Sequence, residues 1–254
     1  MSGTQSNAAT PDGVHTIDAQ PDAVQPPLLA FDRLAGGYGD TIVLRHVSGK
    51  VCAGEVMGVL GRNGVGKTTL LRLLMGYLRP TAGDIRWRGG GLASVPVHAR
   101  RRAGISYAPQ EGLVFDQLSV HDNLTLHRAD RRLLVYEELF AAFPRIADRL
   151  RQPAGKLSGG EKKLVSFCRA LAEGSPLTLL DEPSEGVQQE NLDHMVRLLQ
   201  RRTAAGAAFI IVEQNLNFLL AAMQQVLVLD HGECVLAGSA THLARETLDR
   251  CLAV

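Results

Sequence analysis

The stretch that decides the fold is Glu55–Leu78, EVMGVLGRNGVGKTTLLRLLMGYL. It opens on a short apolar run without polar alternation, the pattern of a strand buried on both faces. It closes on TLLRLLMGYL, apolar on nearly every face, which reads as a buried helix. Between them Gly61, Gly66, Lys67 and Thr68 fit the spacing GxxxxGK[ST]. Glycines let such a loop curl until consecutive N–H groups point inward at a phosphate. Lys67 reaches the β- and γ-phosphates as a mobile point charge, and the Thr68 hydroxyl suits Mg²⁺. An ordinary strand-to-helix turn explains the glycines but not Lys-Thr at this place.

Two further stretches carry chemistry. PLTLLDE is an apolar strand ending in Asp181 and Glu182. Asp181 is placed to hold Mg²⁺ through water, and Glu182, on the other side of the strand end, to orient and polarise an attacking water. Alone, the pair reads equally as two surface acids; the upstream loop argues otherwise. LSGGE places Ser158 three residues before Glu161 at a helix start, which is a capping box. Capping does not explain Gly159 and Gly160, because glycine weakens the first helical turn. Two adjacent glycines there point to a close approach to the backbone.

The rest of the chain frames these motifs. At 254 residues it can bury a sizeable core, and a net charge of +1 gives no electrostatic reason to expect a nucleic-acid binder. Cys52, Cys168, Cys234 and Cys251 have neither metal-ligand nor CxxC spacing and read as free thiols of a reducing compartment. No run approaches the ~20 apolar residues that span a bilayer, and the N-terminus has no signal-type apolar core. The chain therefore reads as cytoplasmic, with any membrane role exerted through other subunits.

Residues 1–27 are polar and read as a disordered tail ahead of one domain over 28–254. LLAFDRL and TIVLRHV read as strands separated by a turn, AGGYGD; GDIRWRG and GISYAPQ are further strands. Ser119 and Asp122 resemble a capping pair, and helical segments at about 131–143 and 145–151 flank Pro144. These belong to a helical lobe, about 112–175, inserted between strands. AFIIVEQ and the pair QVLVLDHGECVLAG complete an alternation of strand and helix. The fold class is α/β, a parallel core with antiparallel β additions. Arg100–Arg102 read as a solvated face, and the histidines lack ligand spacing.

Taken in order, GRNGVGKTT, APQ, LSGGE and DEP resemble the nucleotide-binding subunit of ABC transporters over about residues 28–250. The resemblance implies the ABC ATPase fold, a P-loop NTPase core, with ATP and Mg²⁺ as ligands. It implies contacts to nucleotide from Tyr38, stacked on adenine, and from Gly61, Asn63, Gly64, Gly66, Lys67, Thr68 and Thr69. It implies Mg²⁺ at Thr68, Gln110 and Asp181, and catalysis by Glu182 with Gln110 and Gln214. In that family two subunits, identical or different, pack head to tail, so Ser158, Gly159, Gly160 and Glu161 would cover the partner's nucleotide. Transmembrane permeases would dock on the helical lobe, holding the chain at the inner face of the membrane, with a solute-binding protein as an indirect partner.

Two positions depart from the commoner family pattern. Gln214 stands where many members have a histidine, and Gln188 where a dimer-contact aspartate is usual. VEQN, DEPSEG and FPRI…GKLSGGE resemble the ATPases of branched-chain amino-acid importers and of the related urea or amide importers; GRNGVGKTT and SEGVQ lean to the urea type. The leading expectation is an ATPase powering such an importer. A soluble ABC ATPase acting in assembly or as a conformational clamp is the alternative. A nucleic-acid-linked ATPase lacks its usual paired domains, coiled coils or zinc insertions here.

Overall fold

The computed structural model describes residues 26–243 and 245–253, with the two-residue strand His15–Thr16. The expectation of a disordered 1–27 tail falls largely on residues outside the described ones. The elements are β1 (His15–Thr16), β2 (Leu29–Tyr38), β3 (Thr41–Val51), β4 (Val56–Leu60), α1 (Lys67–Met75), β5 (Ala82–Trp87), β6 (Gly90–Gly91), α2 (Val97–Arg102) and β7 (Ile105–Ala108). They continue with α3 (Val120–Thr125), α4 (Glu137–Ala142), α5 (Pro144–Asp148), α6 (Gly159–Ala172), β8 (Leu177–Asp181), α7 (Gln189–Ala204), β9 (Ala208–Val212), α8 (Leu216–Ala222), β10 (Gln225–Asp230), β11 (Glu233–Ser239) and α9 (Arg245–Ala253).

Among the described residues the main sheet runs β1-β11-β10-β4-β9-β8-β7, and a second, antiparallel sheet runs β3-β2-β5-β6. β4 shows why its sequence is apolar throughout: all five residues are buried. Val56 and Leu60 face one core with Leu180, Ile211 and Val228, under α6, α7, α8 and the helical lobe. Met57 and Val59 face the other with Leu179, Ile210 and Leu227, under α1 and the second sheet. Such two-sided covering is what parallel sheets require.

β10, β4, β9, β8 and β7 are mutually parallel. Their C-terminal ends therefore share one edge, and four of the five, all but β10, deliver a candidate residue there. The glycine loop leaves β4, Gln110 follows β7, Asp181 ends β8, and Gln214 follows β9. This is the edge where ligands bind in open α/β sheets.

Three local expectations are corrected. β2 continues through AGGY to Tyr38, leaving only Gly39 and Asp40 as the turn. Its pairing with β3 shifts register repeatedly, and such bulges accommodate glycines that otherwise read as turn residues. Pro144 does not merely separate two helices but heads α5, where the missing N–H is not needed. Arg100, expected on a solvated face, is 1% exposed.

The Arg100 guanidinium lies under the end of α1. It donates to the carbonyls of Leu73 at 2.9 Å and Leu74 at 2.7 Å, and to those of Leu92 at 2.6 Å and Val95 at 2.8 Å. Carbonyls of a last helical turn lack intrahelical donors and carry partial negative charge, so an arginine fork satisfies them well. Arg100→Ala is expected to strip this donor from the buried carbonyls of Leu74 and Val95, while those of Leu73 and Leu92 keep the N–H groups of Gly76 and Val95, costing about 2–3 kcal/mol. Chemical denaturation checks this; a loss below about 1 kcal/mol contradicts it.

Candidate active site

The glycine loop ends at Gly66, which caps α1 with φ 108°, in the left-handed region. A Cβ there would also meet Leu44 Cδ2 at 2.6 Å, so the loop depends on glycine at this point. No side chain caps α1 at this end. Its first N–H groups therefore remain directed at whatever anion the loop receives.

Lys67 is buried and its Nζ donates to the carbonyls of Gly61 at 2.8 Å and Arg62 at 2.9 Å. It also lies 3.9 Å from Glu182 Oε1. Burial pulls the ammonium below its ordinary range, while the carboxylates of Glu182, Asp181 and Glu213 push back.

Glu182 is 6% exposed, and each of its oxygens is held by a glutamine. Gln110 Nε2 donates to Oε2 at 2.6 Å. Gln214 Nε2 donates to Oε1 at 3.0 Å and to Asn63 Oδ1 at 2.7 Å, tying the β9 end to the glycine loop. The Glu182 backbone is left-handed at φ 47°, pinned by its N–H to Val212 O at 2.9 Å. A non-glycine residue in that region costs energy and persists only where its surroundings fix it.

Asp181 sits beside it. Thr68 Oγ1 donates to Oδ1 at 3.1 Å and Tyr107 Oη to Oδ2 at 3.0 Å. Burial pushes the Asp181 carboxyl up, the two hydroxyl bonds pull it down, and Glu182 pushes it up again. Burial and the facing Asp181 drive the Tyr107 phenol well above its ordinary range, so it remains a donor.

One network thus joins Asn63, Lys67, Thr68, Gln110, Asp181, Glu182 and Gln214. Gly61, Asn63 and Gly64 line an adjoining hollow of about 620 Å³ with Gln214. Thr69 is buried just inside α1. Tyr38 lies at the margin of the network, reached through Arg72 and Tyr107. Its hydroxyl accepts from Arg72 Nη1 at 2.9 Å, and its ring lines a separate groove with Tyr107 and Phe115.

Ser158, Gly159, Gly160 and Glu161 lie in another cleft at the start of α6. The capping box forms, with Ser158 Oγ accepting from Glu161 N and Glu161 Oε2 accepting from Ser158 N. Arg149 Nη1 also donates to Glu161 Oε2, at 2.9 Å. The two glycines differ. A Cβ at Gly159 meets nothing within 4 Å, whereas one at Gly160 would collide with the Gly186 carbonyl. Gly160 thus makes room for the chain's own backbone at Gly186, which accounts for a glycine there, whereas nothing within the chain crowds Gly159.

Sequence reasoning passed over Tyr107 and Glu213. Tyr107 stands one residue from the C-terminal end of β7, beside β8, a position that could have marked it. Glu213 follows an entirely apolar strand and is 2% exposed. It accepts from the backbone N–H groups of Ser184 at 2.7 Å and Gln214 at 3.1 Å. Burial pushes its carboxyl up and those bonds pull it down.

A P-loop coupled to two acids at the edge of a parallel sheet defines a nucleotide-binding class of protein. Residues 44–185 match the family described as ABC transporter, and the chain belongs to the ATP-binding subunits of ABC transporters. It is 33% identical over 213 residues to the high-affinity branched-chain amino acid transport ATP-binding protein BraG of Pseudomonas aeruginosa, spanning 82% of this chain and 91% of that protein. It is also 33% identical over 230 residues to the lipopolysaccharide export system ATP-binding protein LptB of Escherichia coli K12, spanning 86% and 93%. A solved ATP-binding subunit of an ABC transporter shares the fold at TM-score 0.77 and 23% identity, covering 89% of this chain and all 100% of that one. A bacterial Atm1-family ABC exporter with ATP bound matches at TM-score 0.76 and 26% identity, over 95% of this chain and 42% of that one.

The chain is thus an ATPase whose hydrolysis of ATP drives transport. Subunits of this family dimerise and partner with permeases. Among the described residues no helix is long and apolar enough to cross a membrane. Lys67→Ala is expected to weaken ATP binding about tenfold or more, the scale of one charge-assisted contact to phosphate. A fluorescent-nucleotide titration reads this, and unchanged affinity contradicts it.

Proposed function

We propose that this chain powers an importer of branched-chain amino acids or of urea and short amides. The observation that carries the catalytic part is the Glu182 carboxylate, buried at the β8 end and held by Gln110 and Gln214. A carboxylate so fixed accepts the proton of an attacking water, and the two glutamine side chains orient that water. Lys67 carries the charge that the departing γ-phosphate needs neutralised. Gln214 has no titrating proton, so the base role falls to Glu182.

Thr68, Asp181 and the Gln110 amide bring hydroxyl, carboxylate and carbonyl oxygens, the hard donors that suit Mg²⁺. When bound, that ion supplies charge neutralisation at the phosphates. Tyr38, exposed at the end of β2, offers its ring to adenine. The signature segment from Ser158 lines a cleft distinct from the P-loop hollow, which supports its use on a partner's nucleotide in a head-to-tail dimer.

The helical-lobe side of the groove that Tyr38 lines from the core, the side away from the proposed adenine contact, is where a permease segment would sit. Tyr77, Phe115 and Leu126 are exposed along that groove between Arg72, Arg101 and Arg169. Such a groove favours transport over a free-standing soluble clamp. The VEQN and DEPSEG motifs support the importer branch, and a solute-binding protein would select the solute.

Glu182→Gln, nearly identical in shape, is expected to keep ATP affinity within about twofold while turnover falls about 100-fold or more. Single-turnover hydrolysis with a parallel binding titration checks this, and near wild-type turnover removes Glu182 from its role. For the solute, the chain is co-purified with its permeases and placed in vesicles. ATP-dependent uptake of leucine or urea is expected. Recovery with a soluble scaffold, or outward movement of lipopolysaccharide, contradicts the importer assignment while leaving the ATPase intact.

A further inference from the structure

Lys163, in the second turn of α6, is 7% exposed and unused by the mechanism above. Its Nζ donates to the Glu182 carbonyl at 2.9 Å and to the Gln110 carbonyl at 3.2 Å. It also lies 3.2 Å from the Glu185 carboxylate. One buried ammonium therefore meets the backbone of the catalytic acid, the backbone of the glutamine that holds that acid, and the loop that follows it.

Its neighbours on α6 reinforce the link. Lys162 pairs with Asp116 at 2.8 Å, and Arg169 Nη2 donates to the Leu113 carbonyl at 2.9 Å. The segment after Gln110 is thus fastened to the same helix that begins with the signature glycines. Gly160 lies against the backbone of Gly186, fixing the loop beyond Glu182 as well.

We infer that Lys163 is a positioning residue that aligns Glu182 with Gln110 and ties both to the signature helix. The left-handed backbone at Glu182 gives this role its physical content. That conformation holds only while its surroundings oppose relaxation, and the Lys163 bond to the carbonyl of the same residue is one of those restraints. A displacement of α6 when its N-terminal end meets a second nucleotide is transmitted to the catalytic acid through the same ammonium. The inference rests on Glu182 being the general base.

The test is Lys163→Met in the full-length chain, alone and combined with Glu182→Gln. Single-turnover hydrolysis is expected to slow on the order of tenfold or more, as for a misaligned catalytic group, with ATP affinity within about twofold of wild type. In the Glu182→Gln background the same substitution is expected to change the residual rate little, because its effect passes through the carboxylate already removed. Wild-type hydrolysis by Lys163→Met overturns the inference. So does a loss explained by ATP affinity, or one that multiplies fully onto Glu182→Gln. If the Met variant does not fold, Lys163→Gln, which stays polar but carries no charge, is read by the same criteria. Glu182→Gln alone separates the two layers: if it turns over at the wild-type rate, the base assignment fails first.

Discussion

Two opposite charges, Lys67 and Glu182, are buried 3.9 Å apart at the edge of the main sheet. At that separation they attract without bonding directly. A charge withdrawn from water costs several kcal/mol unless its hydrogen-bonding capacity is met. Lys67 finds loop carbonyls and Glu182 finds two glutamine amides. Satisfying this pair draws together the loop after β4 and the ends of β7, β8 and β9. The parallel register makes the solution available: Asp181 pairs with Val212, and Val59 with the same Val212, so the ends lie level.

The same frame explains what the sequence made legible. Lys-Thr after glycines, two acids after an apolar strand, and a glycine pair inside a capping box are residue types out of their ordinary place. Each conflict between local preference and residue choice marked a part of the candidate site or of the loops that frame it. The α/β alternation was equally plain, because strands covered on both faces cannot hide their apolar character.

Apart from Tyr107, whose partner is the Asp181 carboxylate, what stayed hidden depends on contacts with backbone. Arg100 lies in an arginine triplet, the usual mark of a solvated face, and its partners are carbonyls, which every residue possesses. Lys163 and Glu213 are alike in this: one binds carbonyls, the other N–H groups, and neither partner leaves a trace in side-chain chemistry. Gly160 carried a visible signal with two possible sources, and the chain's own Gly186 is one of them. Net charge was silent too. Near neutrality overall coexists with a cationic groove wall, where burial and the charges of Arg101, Arg169 and Arg128 hold His127 down to about 4. That imidazole is neutral at pH 7 and adds nothing to the field around it.

The left-handed backbone of Glu182 sets stability against chemistry at one residue. Holding a side-chain-bearing residue there costs about 1–3 kcal/mol. Glycine at the same place would release the strain and remove a buried carboxylate together. On the proposed role of Glu182, a laboratory selection that rewarded only heat resistance would drift toward such replacements and accumulate sturdy chains without their base. With Glu182 as the proposed base, an acid kept at this position would mark selection on turnover and would set a working motor apart from a retired one of the same shape.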